Sequence, residues 1–395
     1  MQDKIRPQGM PQRCAFGEEE LEAIKELFSY YQAQQRDFGY QGHYEELYTK
    51  KFVEYQQVKE GYADAVCTGT AAVFLAVSAL QLPKGAEVIV SPITDPGTIT
   101  AIIYNQLVPV IADSMKDSYN ISVDAIERQI TKKTGAILVV HAAGQAASSI
   151  IAIQTLAKTR GLFLVEDCSQ AHGARHQGRL VGTFGDIAAF STMYRKAHGT
   201  GGCGGVVFSQ DQDRFNLALA YADRGKPKWL PGFQEKNPAQ FLFPALNLNQ
   251  DEISCAIGIK TLAKLDSVIQ RRNEFVKTLT QYVKESSSLC RVYPMSADDS
   301  PFFLPIFVDT ARLKCSKIEF ANAIAAEGIE LNPHYQYIVS EWPWALPYLS
   351  GSTACPNATS CRDGSFNILF NERYGLSEAK DIVSAIVKAE KHFSK

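Results

Sequence analysis

Asp167 and Lys196 are the residues of this chain whose types and surroundings best suit covalent chemistry. Glu166-Asp167-Cys168-Ser169-Gln170-Ala171-His172-Gly173 follows an apolar run, and Phe190-Ser191-Thr192-Met193-Tyr194-Arg195-Lys196 leads into a glycine-rich stretch. A lysine amine can form a Schiff base with an aldehyde and later move protons, while a carboxylate can keep a ring nitrogen protonated and electron-withdrawing. Either residue alone says little, because most lysines are solvated and an Asp after a strand often caps a helix. Here Cys168 to Gly173 runs quickly into a glycine and makes a poor helix start, which disfavours the cap. Taken together, the two residues suggest pyridoxal phosphate as cofactor.

A phosphate needs donors of its own. Thr68-Gly69-Thr70-Ala71-Ala72 joins a short strand to a helix, so the amides of Gly69 and Thr70 would point outward at a helix N-terminus, where anions bind. The same short motif also caps helices that hold no ligand. Ser191, at the end of the strand leading to Lys196, offers a further hydroxyl, although a strand-end serine can equally bond to backbone. The stretch from His198 to Gly205 lacks the G-K-[ST] ending of a P-loop, and its glycines read as letting the backbone pass close to the lysine. Other chemistries find no support. His141, His172 and His334 are scattered, nine cysteines show no C-x-x-C pair, and no G-x-S-x-G occurs. No metal site, disulfide framework or serine hydrolase is therefore expected.

Composition sets the outer limits. The 395 residues are 46% hydrophobic, enough for a large domain and a smaller one, and 40 basic against 42 acidic residues leave a formal charge of -2. With no long basic run, nucleic acid is not an expected partner. The start, Met1 to Pro7, lacks the apolar core of a signal peptide, and no run of about 18 apolar residues could span a membrane. The expected location is the cytoplasm.

The elements that must position these residues follow from periodicity. Amphipathic helices are expected at Glu18 to Gln34 and Tyr44 to Tyr55. An alternation follows: strand Ala65 to Cys67, helix Thr70 to Leu80, strand Glu87 to Val90, helix Gly97 to Tyr104 and strand Val108 to Ala112. It continues with helix Val123 to Gln129, strand Ala136 to Val140, helix Ile151 to Thr159 and strand Leu162 to Val165. Strands apolar on both faces and separated by helices predict an α/β fold with a mainly parallel sheet covered on both sides. Strands Ile187 to Phe190 and Gly205 to Phe208 flank the lysine segment too closely for a helical crossover, which predicts an antiparallel excursion. A helix to Ala222, a polar loop from Arg224 to Gly232, one long helix from Asp251 to Val283 and a smaller α/β segment containing Phe302 to Val308 complete the chain. The domain boundary is placed near Asp266, giving a large domain over 1–265 and a small one over 266–395.

From about Phe16 to the C-terminus the chain resembles the DegT/DnrJ/EryC1/StrS family of sugar aminotransferases. The most specific part is the ordered series Glu166 to Ala174, then Gly178, Val181-Gly182, Gly185-Asp186, Phe190-Ser191, Lys196 and Gly204-Gly205. The resemblance implies fold type I of the pyridoxal-phosphate enzymes, with a mainly parallel seven-stranded sheet and a smaller C-terminal α/β domain. It implies Lys196 as the Schiff-base lysine, Asp167 as the ring-nitrogen partner and Gln170 as a donor to the ring hydroxyl, with Gly69, Thr70 and Ser191 on the phosphate. Asn247 matches an asparagine that reaches the partner subunit's cofactor phosphate, which implies a homodimer with shared active sites. His334 and Tyr335 match a segment near the substrate. Two departures stand out: Asp95 occupies the place of an aromatic that stacks on the cofactor ring, and Asn249 and Gln250 replace a basic residue and a methionine. Arg224 and Lys226 are candidates to compensate for the missing base.

The implied reaction takes an amino group from glutamate or glutamine to a nucleotide-linked keto-sugar or similar cyclic ketone, in amino-sugar biosynthesis. Alternatives are another fold type I activity, a lyase or dehydratase on a related sugar, and a regulatory protein that binds the cofactor without turnover. Relatives that dehydrate sugars carry histidine in place of the lysine, and Lys196 argues against that branch.

Overall fold

The structure, a computed structural model, describes residues 4–395; Met1 to Asp3, the first part of the stretch read above for a signal peptide, lie outside the described residues. Two helices open the chain, α1 (Glu18–Ala33) and α2 (His43–Tyr55). The alternating region then gives β1 (Tyr62–Val66), α3 (Gly69–Ser78), β2 (Glu87–Val90), α4 (Pro96–Tyr104), β3 (Val108–Ile111), α5 (Val123–Gln129), β4 (Thr134–Val140), α6 (Ile150–Arg160) and β5 (Phe163–Asp167). A two-stranded excursion, β6 (Arg175–His176) and β7 (Arg179–Leu180), precedes β8 (Ile187–Ser191) and β9 (Gly205–Ser209).

Seven of these strands form one sheet in the order β1-β9-β8-β5-β4-β2-β3. All run in one direction except β9, which pairs antiparallel with both β8 and β1. The short lysine-bearing connection between β8 and β9 leaves no room for a crossover, and the reversal follows from that. Side chains alternate across the sheet as the pleat requires. Val88 and Val90 pack with Leu75, Ile99, Ile102 and Leu138 on one face, while Ile89 joins Ile126, Ile137, Ile150 and Ile153 on the other. Helix α3 is buried on nearly every side, which accounts for its run of alanines: small residues let it lie close to the sheet. Leu75 within it is fully buried, and Leu75→Ala would cost about 2–5 kcal/mol.

After α7 (Gln212–Ala222), the single long helix expected from Asp251 to Val283 proves to be two, α8 (Glu252–Ala263) and α9 (Leu265–Ser286). The break comes at Lys264, whose N–H bonds three residues back to Thr261 O at 3.2 Å, and whose ammonium is drawn to Glu20 (2.7 Å) and Glu19 (3.1 Å) on α1. Periodicity could not reveal it, since the apolar spacing continues through the joint. The remainder forms β10 (Cys290–Val292), β11 (Leu304–Val308), α10 (Lys317–Ala326), β12 (Leu331–Asn332), α11 (Pro356–Asp363), β13 (Ser365–Ile368) and α12 (Leu376–Phe393). Its antiparallel sheet, β10-β11-β13-β12, has a core of its own with α9, α10 and α12. Met10, from the N-terminal segment, is part of that core. No helix among the described residues is long and apolar enough to cross a membrane.

Candidate active site

The C-terminal ends of the parallel strands are where ligands gather in such sheets, and a cavity of about 870 Å³ opens there. Lys196 lines it, carried on the loop from β8 to β9. The neck of that loop is closed by Thr192 N donating to Gly204 O at 2.8 Å and Thr200 N donating to Thr192 O at 2.9 Å, with the two threonine hydroxyls 2.7 Å apart. Gly204, at φ +156°, has no space for a side chain: a Cβ would stand 2.0 Å from Thr200 Oγ1. Lys196 is 9% exposed, and among the described residues its Nζ has neither a hydrogen bond nor an ion pair. The nitrogen lies 4.4 Å from the centre of the Phe302 ring. Burial pushes the amine down to about 8, while the charges of Asp167 and Asp95 pull it back up.

Asp167 is the last residue of β5 and is buried. Its Oδ2 accepts from Thr98 Oγ1 at 3.0 Å and its Oδ1 from Ser169 N at 3.0 Å, so each oxygen keeps a lone pair. No helix follows, in keeping with the poor helix start in the sequence. The neighbouring Glu166 is spent on structure. It accepts from His141 Nε2 (2.9 Å), Gly182 N (2.8 Å) and Gly185 N (2.6 Å), and His141 Nδ1 accepts from Ala147 N (3.0 Å). With Cys168 these are the described residues that lie close enough to share an ion, but both imidazole nitrogens and both carboxylate oxygens are already engaged. Gln170 points its Oε1 at Ala143 N (2.8 Å), which leaves its NH2 group as the donor toward the cavity it lines.

On the other side of the cavity, α3 begins at Gly69. Thr68 caps it by accepting from Ala71 N at 3.0 Å, and among the described residues no acceptor takes the amides of Gly69 and Thr70. Ser191 lies directly against this turn: a Cβ on Gly69 would come within 2.4 Å of Ser191 Cβ. The Ser191 carbonyl is held by His172 Nε2 at 2.7 Å. Burial pushes that imidazole down to about 4, so it serves as a neutral donor.

Asp95 lines the cavity and caps α4, its Oδ1 accepting from Gly97 N at 2.9 Å. The strand-like stretch before it pairs with a distant segment through Thr94 N to Tyr337 O (3.2 Å) and Val339 N to Pro92 O (3.0 Å). This pairing brings Tyr335 beside Asp95. Tyr335 stacks on Tyr337 at 4.6 Å and lies 5.0 Å from Phe303, and with Phe302 these rings form the aromatic part of the lining.

The remaining candidates lie elsewhere. His334 is outside the lining, its Nδ1 3.3 Å from Lys317 Nζ. Asn247 is exposed and also outside, its Oδ1 accepting from Asn249 Nδ2 at 2.6 Å. Arg224 and Lys226, candidates for the missing base, are committed to Asp223 at 2.8 and 3.1 Å, with Lys228 a third cation at 3.0 Å. Neither lines the cavity. Thr98, Phe302 and Arg13 do line it, yet sequence reasoning passed them over. Each owes its place to a tertiary contact with no local spacing signal.

A reversed strand beside a parallel sheet, with a buried lysine and a carboxylate facing one cavity at the strand ends, defines a pyridoxal-phosphate enzyme of fold type I. The donors present suit that cofactor: an uncommitted amine, a carboxylate with lone pairs, and open amides on a turn where glycine alone fits. The chain belongs to the DegT/DnrJ/EryC1/StrS aminotransferase family, whose model matches residues 18–387. It is 33% identical over 294 residues to GDP-perosamine synthase of Escherichia coli O157:H7, covering 74% of this chain and 76% of that one. It is 32% identical over 304 residues to dTDP-3-amino-3,6-dideoxy-alpha-D-galactopyranose transaminase of Aneurinibacillus thermoaerophilus, covering 75% and 78%. Among solved structures, an aminotransferase from Psychrobacter cryohalolentis superposes with a TM-score of 0.86 at 26% identity, over 97% of this chain and 99% of that one.

Proposed function

We propose that this chain transfers an amino group from glutamate or glutamine to a nucleotide-linked keto-sugar or similar cyclic ketone, in amino-sugar biosynthesis. The observation that carries this reading is the uncommitted Lys196 amine in one cavity with the Asp167 carboxylate. The relatives above, named for GDP- and dTDP-linked sugars, support the acceptor class.

Bound pyridoxal phosphate supplies an aldehyde carbon that takes amines covalently and a protonated ring that draws electrons from them. Lys196 Nζ would be the amine that holds that carbon and the base that moves a proton between it and the donor's Cα, and, in the reverse sense, between it and the carbon of the acceptor being aminated. Asp167 holds the proton on the ring nitrogen, its carboxylate aimed by Thr98 and Ser169. Gln170 donates to the ring hydroxyl, and the amides of Gly69 and Thr70 with the Ser191 hydroxyl hold the phosphate. Asp95 and Tyr335, which line the cavity, serve the substrate side, with His334 next to Tyr335 in the chain.

The same reading makes the enzyme a homodimer in which Asn247 serves the partner's site; its exposure, away from its own cavity, supports this. It divides the chain into 1–265 and 266–395, supported by the helix break at Lys264. It places the protein in the cytoplasm, supported by nine free cysteines.

The test loads purified protein with cofactor and follows its visible absorbance as glutamate, glutamine and other amino acids are added, then screens nucleotide keto-sugars by mass spectrometry. Bleaching by one donor, and an acceptor that gains an amino group, is the expected result. If product forms while no amino acid bleaches the cofactor, the reaction is an elimination and the proposal fails.

A further inference from the structure

We propose that Arg13 is a positioning residue for Lys196, clamping the loop that carries the amine onto a buried Glu372–Arg272 pair. Its Nη1 donates to the carbonyl of Tyr194 and its Nη2 to that of Ala197 at 3.4 Å, so one guanidinium spans both sides of Lys196. Its Nε pairs with Glu372 Oε1 at 2.9 Å. The other oxygen of Glu372 accepts from Arg272 Nη2 at 3.0 Å and Nε at 3.3 Å. Arg272 is 2% exposed and gives its remaining donor, Nη1, to Pro301 O at 3.2 Å. Pro301 precedes Phe302, whose ring is the 4.4 Å neighbour of Lys196 Nζ. One network therefore fixes the lysine loop and the ring that faces its amine.

The loop needs such a clamp. Its neck is closed at Thr192 and Thr200, but the backbone of its tip, from Tyr194 to Ala197, is otherwise held, among the described residues, by local bonds from Lys196 N to Met193 O (2.8 Å) and from Arg195 N to Met193 Sδ (3.2 Å) and by a long contact from Tyr194 N to Gly202 O (3.5 Å). Arginine suits the task because its planar fork can serve a carboxylate and two carbonyls at once, whereas a lysine offers one point charge. Although burial opposes it, Arg272 and Arg13 together hold the Glu372 carboxyl below its ordinary range, which keeps the anchor charged. The three anchor residues come from the N-terminal segment, from α9 and from the turn after β13, so the loop is referenced to the C-terminal core as well as to its own sheet.

The proposal rests on Lys196 being the reacting amine, and its readouts are independent of which substrate is correct. Hydrogen exchange of residues 192–204 is followed in the full chain with and without pyridoxal phosphate. The pH midpoint for acetylation of Lys196 is measured by mass spectrometry without it. In Arg13→Ala, exchange in 192–204 should rise at least tenfold while α9 and the C-terminal sheet stay protected, and the Lys196 midpoint should move up as the amine gains water. Arg13→Lys keeps a charge opposite Glu372 and should restore the melting temperature but neither the exchange protection nor the midpoint. Unchanged exchange and midpoint in Arg13→Ala would overturn the proposal, as would full recovery in Arg13→Lys, which would reduce Arg13 to a charge partner of Glu372. If Arg13→Ala does not fold, Arg13→Lys alone decides between these outcomes.

Discussion

Thr98 Oγ1 donates to Asp167 Oδ2 at 3.0 Å, tying the first turn of α4 to the end of β5. Thr98 in turn accepts from Thr94 Oγ1 at 2.8 Å, so its proton has a fixed direction and the carboxylate a fixed plane. Loss of this bond should misaim Asp167 without removing its charge. A hydrogen bond to a charged group is worth about 1.5–3 kcal/mol, so Thr98→Val should slow the donor half-reaction roughly ten- to a hundredfold. Asp167→Ala should bind cofactor yet lose more, on the order of 10²–10³-fold or beyond, as expected when preorganised charge is removed. Stopped-flow bleaching measures both. A Thr98→Val variant as slow as Asp167→Ala would mean that the threonine does more than aim.

Cofactor capture should depend on pH through Lys196. Only the neutral amine attacks an aldehyde, and burial pushes this amine down to about 8. The capture rate of cofactor-free protein should therefore climb tenfold per pH unit below about 8 and level off above it, where an ordinary lysine would still be climbing. Lys196→Ala should abolish borohydride trapping of the cofactor. Trapping that persists in Lys196→Ala would show a different lysine to be the reacting amine.

The turn at Gly69 should tolerate no side chain. A Cβ there would stand 2.4 Å from Ser191 Cβ and 2.9 Å from Ser191 Cα, which is backbone and cannot swing aside. Gly69→Ala should push the helix start away from the strand end and raise the dissociation constant of the cofactor by an order of magnitude or more, about 1.4 kcal/mol per tenfold. Ser191→Ala, which removes one donor without crowding, should have the smaller effect. Equilibrium dialysis with pyridoxal phosphate reads both; equal effects would show that the close approach is immaterial.

The parts of this molecule legible in the sequence are those that local pattern determines. The strand from Glu87 to Val90 and the helix from Val123 to Gln129 fall where apolar spacing puts them, and the reversal of β9 followed from the short connection around Lys196. Thr98, Phe302 and Arg13 were not legible, because α4, the bend before β11 and the N-terminal segment approach the lysine only in the folded chain. Asp95 was visible as an anomaly. Its place at the N-cap of α4, and the pairing of Thr94 with Tyr337 that sets Tyr335 beside it, depend on a segment more than two hundred residues away. The helix break at Lys264 was hidden because the apolar spacing continues through it, and the Lys264 ion pair with Glu20 joins it to another helix.

Glu45, at the start of α2, and Asp64, on β1, are both buried. Burial pushes the Glu45 carboxyl up and the charge of Asp64 adds to the effect. Burial also raises Asp64, against a hydrogen bond from Glu45 and the charge of Lys228. The folded pair therefore keeps a proton that the unfolded chain releases once the pH passes the ordinary carboxylate range. A state that binds more protons is favoured by acid, so this pair's contribution is present at low pH and is lost as pH rises through the raised folded values. Between about pH 5 and about pH 9 the urea midpoint of the protein should carry a downward component from this pair. Glu45→Gln keeps the hydrogen-bonding groups but removes one of the two charges, and should make that component shallower. His172 and Lys196 titrate in the opposite sense, so the decisive quantity is the difference in pH slope between the variant and the parent. Identical slopes would mean that the two carboxyls ionise as freely in the fold as outside it.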